Sequence, residues 1–161
     1  MEYKEMNMEK YVKKFLNCWL FIICGMGGVL VGIMCMNWGR WSWSARCQAF
    51  AILSLILHVM EEWRFPGGFH YMLNSDKSVG RPELYHCYPM NQLSDMLTNL
   101  IPILCGCVFL AMGSPLYLSM MWFYLCLSDS LGHIILGFKM KKKYAKQGKK
   151  TIYNPNVIKL R

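Results

Sequence analysis

The chain has 161 residues, of which 55% are hydrophobic and 17% are charged, whereas an ordinary globular domain carries about 25% charged residues. Its formal net charge is +9, which in a soluble protein would suggest a nucleic-acid partner. Residues 15–36 contain no charged side chain, and a helix of about 22 residues can cross a hydrocarbon core roughly 30 Å thick. The composition therefore excludes a soluble enzyme and nucleic-acid binding, and it predicts an integral membrane protein.

Four apolar stretches predict an all-α fold, an integral membrane bundle of four antiparallel transmembrane helices. The predicted spans are residues 15–36, 45–65, 93–112 and 116–138. The second is the least regular, because only residues 47–60 are uncharged, and about 14 residues of helix rise only ~21 Å. It is either a buried half-span or a full span that draws His58, Glu61 and Glu62 towards the membrane edge. We favour the full span.

Basic residues indicate the orientation of the four spans. The N-terminal segment 1–14, the loop 66–92 and the tail 139–161 share one side, whereas the two opposite loops contain only Arg40 and Arg46. By the positive-inside rule both termini are cytoplasmic, in what we expect to be a bacterial cytoplasmic membrane. The basic tail is first of all a topology signal, and binding to anionic lipids is its alternative function.

Polar side chains recur at four-residue spacing on three predicted helices, so that each of these helices has one polar face. They are His58 and Glu62 in the second span, with Glu61 at the flank of that face, Asp95 and Asn99 in the third, and Asp129 and His133 in the fourth. The second and fourth spans end on the cytoplasmic side and the third begins there, so the three faces meet. Asp129 lies deepest, and a charge at such depth marks a candidate functional site because burying it unpaired is costly.

These acids and imidazoles are the donor types that bind divalent metals in helical bundles. The predicted ligands of a zinc or iron ion are His58, Glu62, Asp129 and His133. Glu61 or Glu62 is the predicted general base that activates a water. Asp95 and Asn99 are predicted to orient the ligands.

Three functional hypotheses follow from this inventory. The leading one is an intramembrane enzyme that performs metal-dependent hydrolysis or acid-base chemistry on a lipid or another apolar substrate. The first alternative is a small carrier or proton relay that uses the buried acid and histidine pairs. The second is a structural or partner-binding subunit, in which those pairs only stabilise helices and their packing.

Two further features are expected to be structural. His70 and His86 lie in the predicted loop and are expected to be ordinary surface residues. Gly28 and Gly32 are separated by one helical turn, and small residues at this spacing let membrane helices approach closely. We expect this glycine ridge to pack within the bundle.

The pentad His58-Val59-Met60-Glu61-Glu62 lies at the predicted cytoplasmic end of an apolar helix, and a second histidine, His133, follows in the last span. In these features the chain resembles the HXXEE-motif family of small prokaryotic membrane proteins, over residues 15–140. The resemblance implies a multi-span architecture and a site at the pentad. It implies no reaction, because that family has no established activity.

Overall fold

The computed structural model describes residues 2–64, 68–74, 80–84 and 88–146, and within these ranges the chain is helical without strands. The helices are α1 (Glu2–Asn37), α2 (Trp43–Trp63), α3 (Phe69–Asn74), α4 (Gln92–Ala111) and α5 (Leu116–Lys146), with a 3-10 turn at Pro82–Leu84. The segments long and apolar enough to cross a membrane are Cys18–Asn37, Trp43–Trp63, Gln92–Ala111 and Leu116–Lys139. The prediction of an all-α protein with four candidate spans is confirmed. Their antiparallel course stays a prediction.

The helix boundaries differ from the prediction mainly at the two ends of the chain. Helix α1 already begins at Glu2, within the predicted segment 1–14, and α5 continues to Lys146, within the basic tail. The second span is one uninterrupted helix, as the full-span interpretation requires. Residues 147–161 of the tail lie outside the described residues.

Local sequence explains where the helices begin and end. The Ser42 side chain accepts a hydrogen bond from a backbone N–H in the first turn of α2. At α4, the Asn91 side chain accepts from the backbone of Ser94, whose hydroxyl accepts in return from the Asn91 backbone, which is a capping box. Between α4 and α5, Gly113 and Ser114 adopt φ angles of 82° and 54°. Glycine adopts this left-handed conformation without strain, which suits the tight turn.

Helix α2 is the centre of the bundle and packs against α1, α4 and α5. The core between these helices contains Ile23 of α1, Ile52 and Ile56 of α2, and Ile103 of α4. In contrast, only 6% of the α5 span is buried, against 33% of the α2 span. Helix α5 is therefore joined to the bundle along one narrow face, and most of its surface is exposed.

The glycine ridge predicted on α1 does not face the bundle. Gly28 and Gly32 are exposed, and a Cβ at either position would meet no described atom within 4 Å. The glycine that faces α2 is Gly27, where a Cβ would lie 3.4 Å from Ile56 Cδ1. The prediction was wrong because α1 is rotated by about one residue, or ~100°, from the expected orientation.

Gly106 of α4 packs tightly against α2. A Cβ there would lie 2.9 Å from Ile52 Cγ1 and 3.2 Å from Gln48 Nε2. We expect Gly106→Ala to lower the free energy of unfolding by about 1–3 kcal/mol, because overpacking displaces buried side chains. Thermal unfolding in detergent measures the effect, and Gly28→Ala is the matched control on an open face. Equal melting temperatures for the two variants would contradict this packing.

Candidate metal centre

Helices α2 and α5 bring two predicted site histidines into contact. The ring centroids of His58 and His133 are 4.3 Å apart, and the ring planes meet at 74°. The two helices also contact each other near their first turns, where the Ser44 hydroxyl of α2 donates to the Ser119 hydroxyl of α5 at 2.9 Å. The histidines therefore meet because the two helices run alongside each other, and not through a local distortion.

Two carboxylates bridge the two imidazoles. His58 Nε2 lies 3.5 Å from Glu62 Oε1 and 3.1 Å from Asp129 Oδ2. His133 Nε2 lies 3.2 Å from Glu62 Oε1 and 3.9 Å from Asp129 Oδ1. The structure thus brings these four predicted residues together as a ring in which imidazoles and carboxylates alternate.

The two carboxylates of the ring differ in burial. The Glu62 side chain is 4% exposed, whereas the Asp129 side chain is 51% exposed. Sequence analysis singled out Asp129 by its depth along the helix. In the structure Glu62 is the enclosed carboxylate, because Asp129 lies on a sparsely covered face of α5.

His58, Glu62 and His133 could hold a metal ion, because one donor atom from each lies within 4.8 Å of the others. Zinc binds nitrogen and oxygen donors tetrahedrally at about 2.0–2.1 Å, which places the donors roughly 3.3 Å apart. The Glu62–imidazole distances of 3.2 and 3.5 Å fit this geometry. Three of the four predicted ligands therefore form a plausible metal group, and the identity of the metal stays a prediction.

Asp95 is almost fully buried beside this group, with 1% of its surface exposed. Its Oδ1 accepts a hydrogen bond from Asn99 Nδ2 at 3.1 Å, and its Oδ2 accepts one from the indole N–H of Trp63. It also interacts electrostatically with Glu62 and His58. Sequence reasoning missed Trp63. Its position directly after Glu61 and Glu62 was the signal in the sequence that could have identified Trp63 as a hydrogen-bond donor to the site.

A cavity of about 700 Å³ lies between α2, α3, α4 and α5, with the ring on its wall. We call it the large cavity. Away from the ring its lining is mainly apolar, and its members include Leu55, Pro102, Trp122, Leu125 and Leu136. From Trp122 to Leu136 the α5 lining extends about 21 Å along the helix axis. Among the predicted site residues, Glu61 does not line this cavity and instead lines a smaller one of about 320 Å³.

The prediction that His70 is a surface residue was wrong. Its side chain lies on α3, which packs against α2, and only 5% of the residue is exposed. Its ring stacks on Trp63 with centroids 4.7 Å apart and planes at 7°. Burial lowers the pKa of His70 below its usual 6.5. His86 lies outside the described residues.

We expect His70→Phe to make the fold less sensitive to acid. The unfolded chain protonates His70 near its ordinary pKa, whereas the folded protein keeps the ring neutral to lower pH. The stability contributed by burying the neutral ring is therefore complete above that ordinary pKa and is lost as the pH falls below it. Phenylalanine preserves the stacking on Trp63 and cannot be protonated.

Melting temperatures in detergent at about pH 7.5 and about pH 5 test this expectation across the range in which histidine titrates. The decrease towards acid should be smaller for His70→Phe than for the wild type. Identical decreases would show that the burial of His70 does not contribute to acid sensitivity.

A scan against family models finds no match, and searches of curated proteins and of solved structures find no similar protein. The resemblance to the HXXEE-motif family therefore stays a prediction that rests on the pentad 58–62 and on His133.

Proposed function

We propose that this protein is a metal-dependent intramembrane enzyme that acts on a lipid or another apolar substrate. His58, Glu62 and His133 bind a divalent metal, zinc or iron. The observation that carries the proposal is that three donor groups from two helices converge on the wall of the large cavity, about 700 Å³ in volume. A metal held by two imidazoles and one carboxylate keeps a position for water, lowers the pKa of that water and polarises a substrate carbonyl or phosphoryl group.

The remaining polar residues take supporting roles in this proposal. Asp129 is the general base, because it lines the large cavity, is half exposed and lies beside both imidazoles. It accepts a proton from the attacking water and returns it to the leaving group. This role was predicted for Glu61 or Glu62, but Glu61 lines the smaller cavity and Glu62 lies between the two imidazoles. Asp95, which accepts hydrogen bonds from Trp63 and Asn99, orients the ligands.

The large cavity supports an apolar substrate. Its volume falls within the roughly 300–1,000 Å³ range of small-molecule sites, and its lining is mainly apolar. Leu125, Ser128 and Gly132 of α5 line the cavity and are also exposed, so substrate enters sideways from the bilayer. Hydrolysis or acid-base chemistry suits this site better than hydride transfer, because the sequence has no glycine-rich nucleotide loop.

The proposal places the metal centre near the cytoplasmic leaflet. Helix α2 ends at Trp63, five residues after His58, which puts His58 about 7 Å inside the end of the helix. The excess of basic residues on that side favours the cytoplasm. The basic continuation of α5 would contact anionic lipid headgroups there.

Elemental analysis tests the proposal. Protein purified in detergent without a chelator is expected to retain about one zinc or iron per chain, the content of a single structural or catalytic site. Wild-type protein that remains metal-free after incubation with Zn²⁺ and Fe²⁺ would overturn the proposal.

A proton relay is the second candidate function. The observation that favours it is the alternation of imidazoles and carboxylates at 3.1–3.9 Å, which is a chain of groups able to exchange protons. Metal-free protein whose proton flux in liposomes disappears with Asp129→Asn would favour the relay over the enzyme.

A further inference from the structure

The two histidines separate the large cavity from the smaller one, which we call the small cavity. The small cavity has a volume of about 320 Å³. Three side chains line both cavities: His58, Phe69 and His133. The Phe69 ring stacks on His133 with centroids 4.0 Å apart and planes at 11°. These three rings form a partition, and the donor nitrogens of the predicted metal ligands belong to it.

The small cavity differs from the large one in position and chemistry. It is lined by the last part of α2, by α3 and by α5, and not by α4. Its acidic side chain is Glu61, two residues before the end of α2, which is about 3 Å along the helix. Ser130 of α5 adds a hydroxyl to the wall. The small cavity therefore lies close to the end of α2, and its volume corresponds to about ten water molecules.

We propose that the small cavity is a binding and entry site for hydrated divalent cations and water, which reach the metal centre from the aqueous phase past Glu61. Apolar substrate reaches the same centre from the bilayer through the large cavity. The Glu61 carboxylate attracts cations to the entrance, and it already interacts electrostatically with His58. The inference rests on the proposed function, because it requires a metal at His58, Glu62 and His133.

Two routes are needed because the two reactants differ in solvation. A hydrated cation or a water molecule does not cross an apolar lining such as that of Leu55, Pro102 and Leu125 without losing hydrogen bonds. The small cavity has less than half the volume of the large one and therefore offers an apolar substrate less surface to contact. A partition made of the metal ligands themselves lets both reactants meet at the metal without sharing a path.

Ser128 and Ser130 provide a matched pair of test positions on α5. Both are exposed, and both hydroxyls donate to a backbone carbonyl of their own helix at 2.8 Å. Ser128 lines only the large cavity, whereas Ser130 lines only the small cavity. Replacing either serine by tryptophan therefore obstructs one cavity and leaves the other open.

The experiment measures Co²⁺ uptake by the metal-depleted full chain in lipid nanodiscs, followed by stopped-flow absorbance. We expect Ser130→Trp to slow uptake at least about tenfold at unchanged final stoichiometry, within the range by which association rates vary among variants of one site. Ser128→Trp is expected to load at the wild-type rate. Equal rates for both variants, or slower uptake by Ser128→Trp alone, would overturn the inference.

A second pair of variants protects the test against misfolding. Ser130→Cys and Ser128→Cys are introduced separately, and each folded variant is then treated with a bulky methanethiosulfonate reagent. Wild-type protein treated in the same way corrects for modification of the native cysteines. Slow Co²⁺ uptake after modification of Ser130→Cys alone supports the inference, and unchanged uptake overturns it. If wild-type protein binds no Co²⁺ at all, the proposed function fails instead, so the two failures are distinguishable.

Discussion

Replacing His133 by alanine is expected to abolish metal retention, with a loss of affinity of more than about a hundredfold. Removing a residue that only supports a ligand already costs about 10–100-fold in metal affinity, and His133 is a proposed ligand itself. Its Nε2 lies 3.2 Å from Glu62 Oε1, and without it only His58 and Glu62 remain of the three donors. Elemental analysis of the purified variant and calorimetric titration with Zn²⁺ measure the loss.

The matched control for this prediction is His70→Phe. His70 is a buried histidine on α3, and it stacks on Trp63 at the end of α2 and does not belong to the donor group. This variant is expected to retain metal at the wild-type stoichiometry. Full metal content in His133→Ala, or equal losses in both variants, would contradict the assignment of His133 as a ligand.

Neutralising Glu62 is expected to be far more damaging to metal binding than neutralising Asp129. Glu62→Gln removes the enclosed negative charge that lies 3.5 and 3.2 Å from the two imidazole nitrogens. A divalent cation would then be buried without a carboxylate ligand, which is strongly unfavourable. We expect a loss of zinc affinity of more than about a hundredfold, larger than the loss caused by changing a supporting residue.

Asp129→Asn provides the comparison for Glu62→Gln, because it makes the same chemical change on the other side of the ring. The Asp129 side chain is 51% exposed, so its charge is better screened by solvent. We expect its zinc affinity to remain within about tenfold of the wild type, while catalysis falls by about 10²–10⁴-fold once a substrate is identified. The opposite order of zinc affinities would overturn the roles proposed for the two carboxylates.

The spans and the convergence of the site could be predicted from the sequence. Each span is recognised by its length and composition together, although the charges near the ends of the second span left a half-span as an alternative. The four-residue spacing of His58 and Glu62, and of Asp129 and His133, places each pair on one helical face. The predicted antiparallel topology brings the ends of the second and fourth spans to the same end of the bundle, and the structure places the two pairs in contact.

The rotation of each helix about its own axis could not be predicted. In a soluble protein the polar face identifies the outside, but lipid and bundle interior are both apolar, so hydropathy does not distinguish them. For this reason the ridge of Gly28 and Gly32 was assigned to the bundle when Gly27 faces it. The same ambiguity concealed that Glu62, rather than Asp129, is the enclosed carboxylate.

The contacts made by the segment between α2 and α4 could not be predicted from the sequence either. No periodic pattern indicates that α3 packs against α2 and thereby buries His70 of α3. Nor does the pattern indicate that the Trp63 indole donates to Asp95, because the two residues lie on different helices. Such contacts depend on tertiary packing, which local propensity does not determine.

The most direct test of the claim that His58, Glu62 and His133 bind one metal together is X-ray absorption at the zinc edge of the zinc-loaded protein. The expected spectrum contains two imidazole nitrogens, with the remaining donors oxygen, at about 2.0–2.2 Å. The chain has eight cysteines, so thiolates are the rival ligands. A spectrum dominated by sulfur at about 2.3 Å, without imidazole scattering, would place the metal elsewhere and contradict the claim.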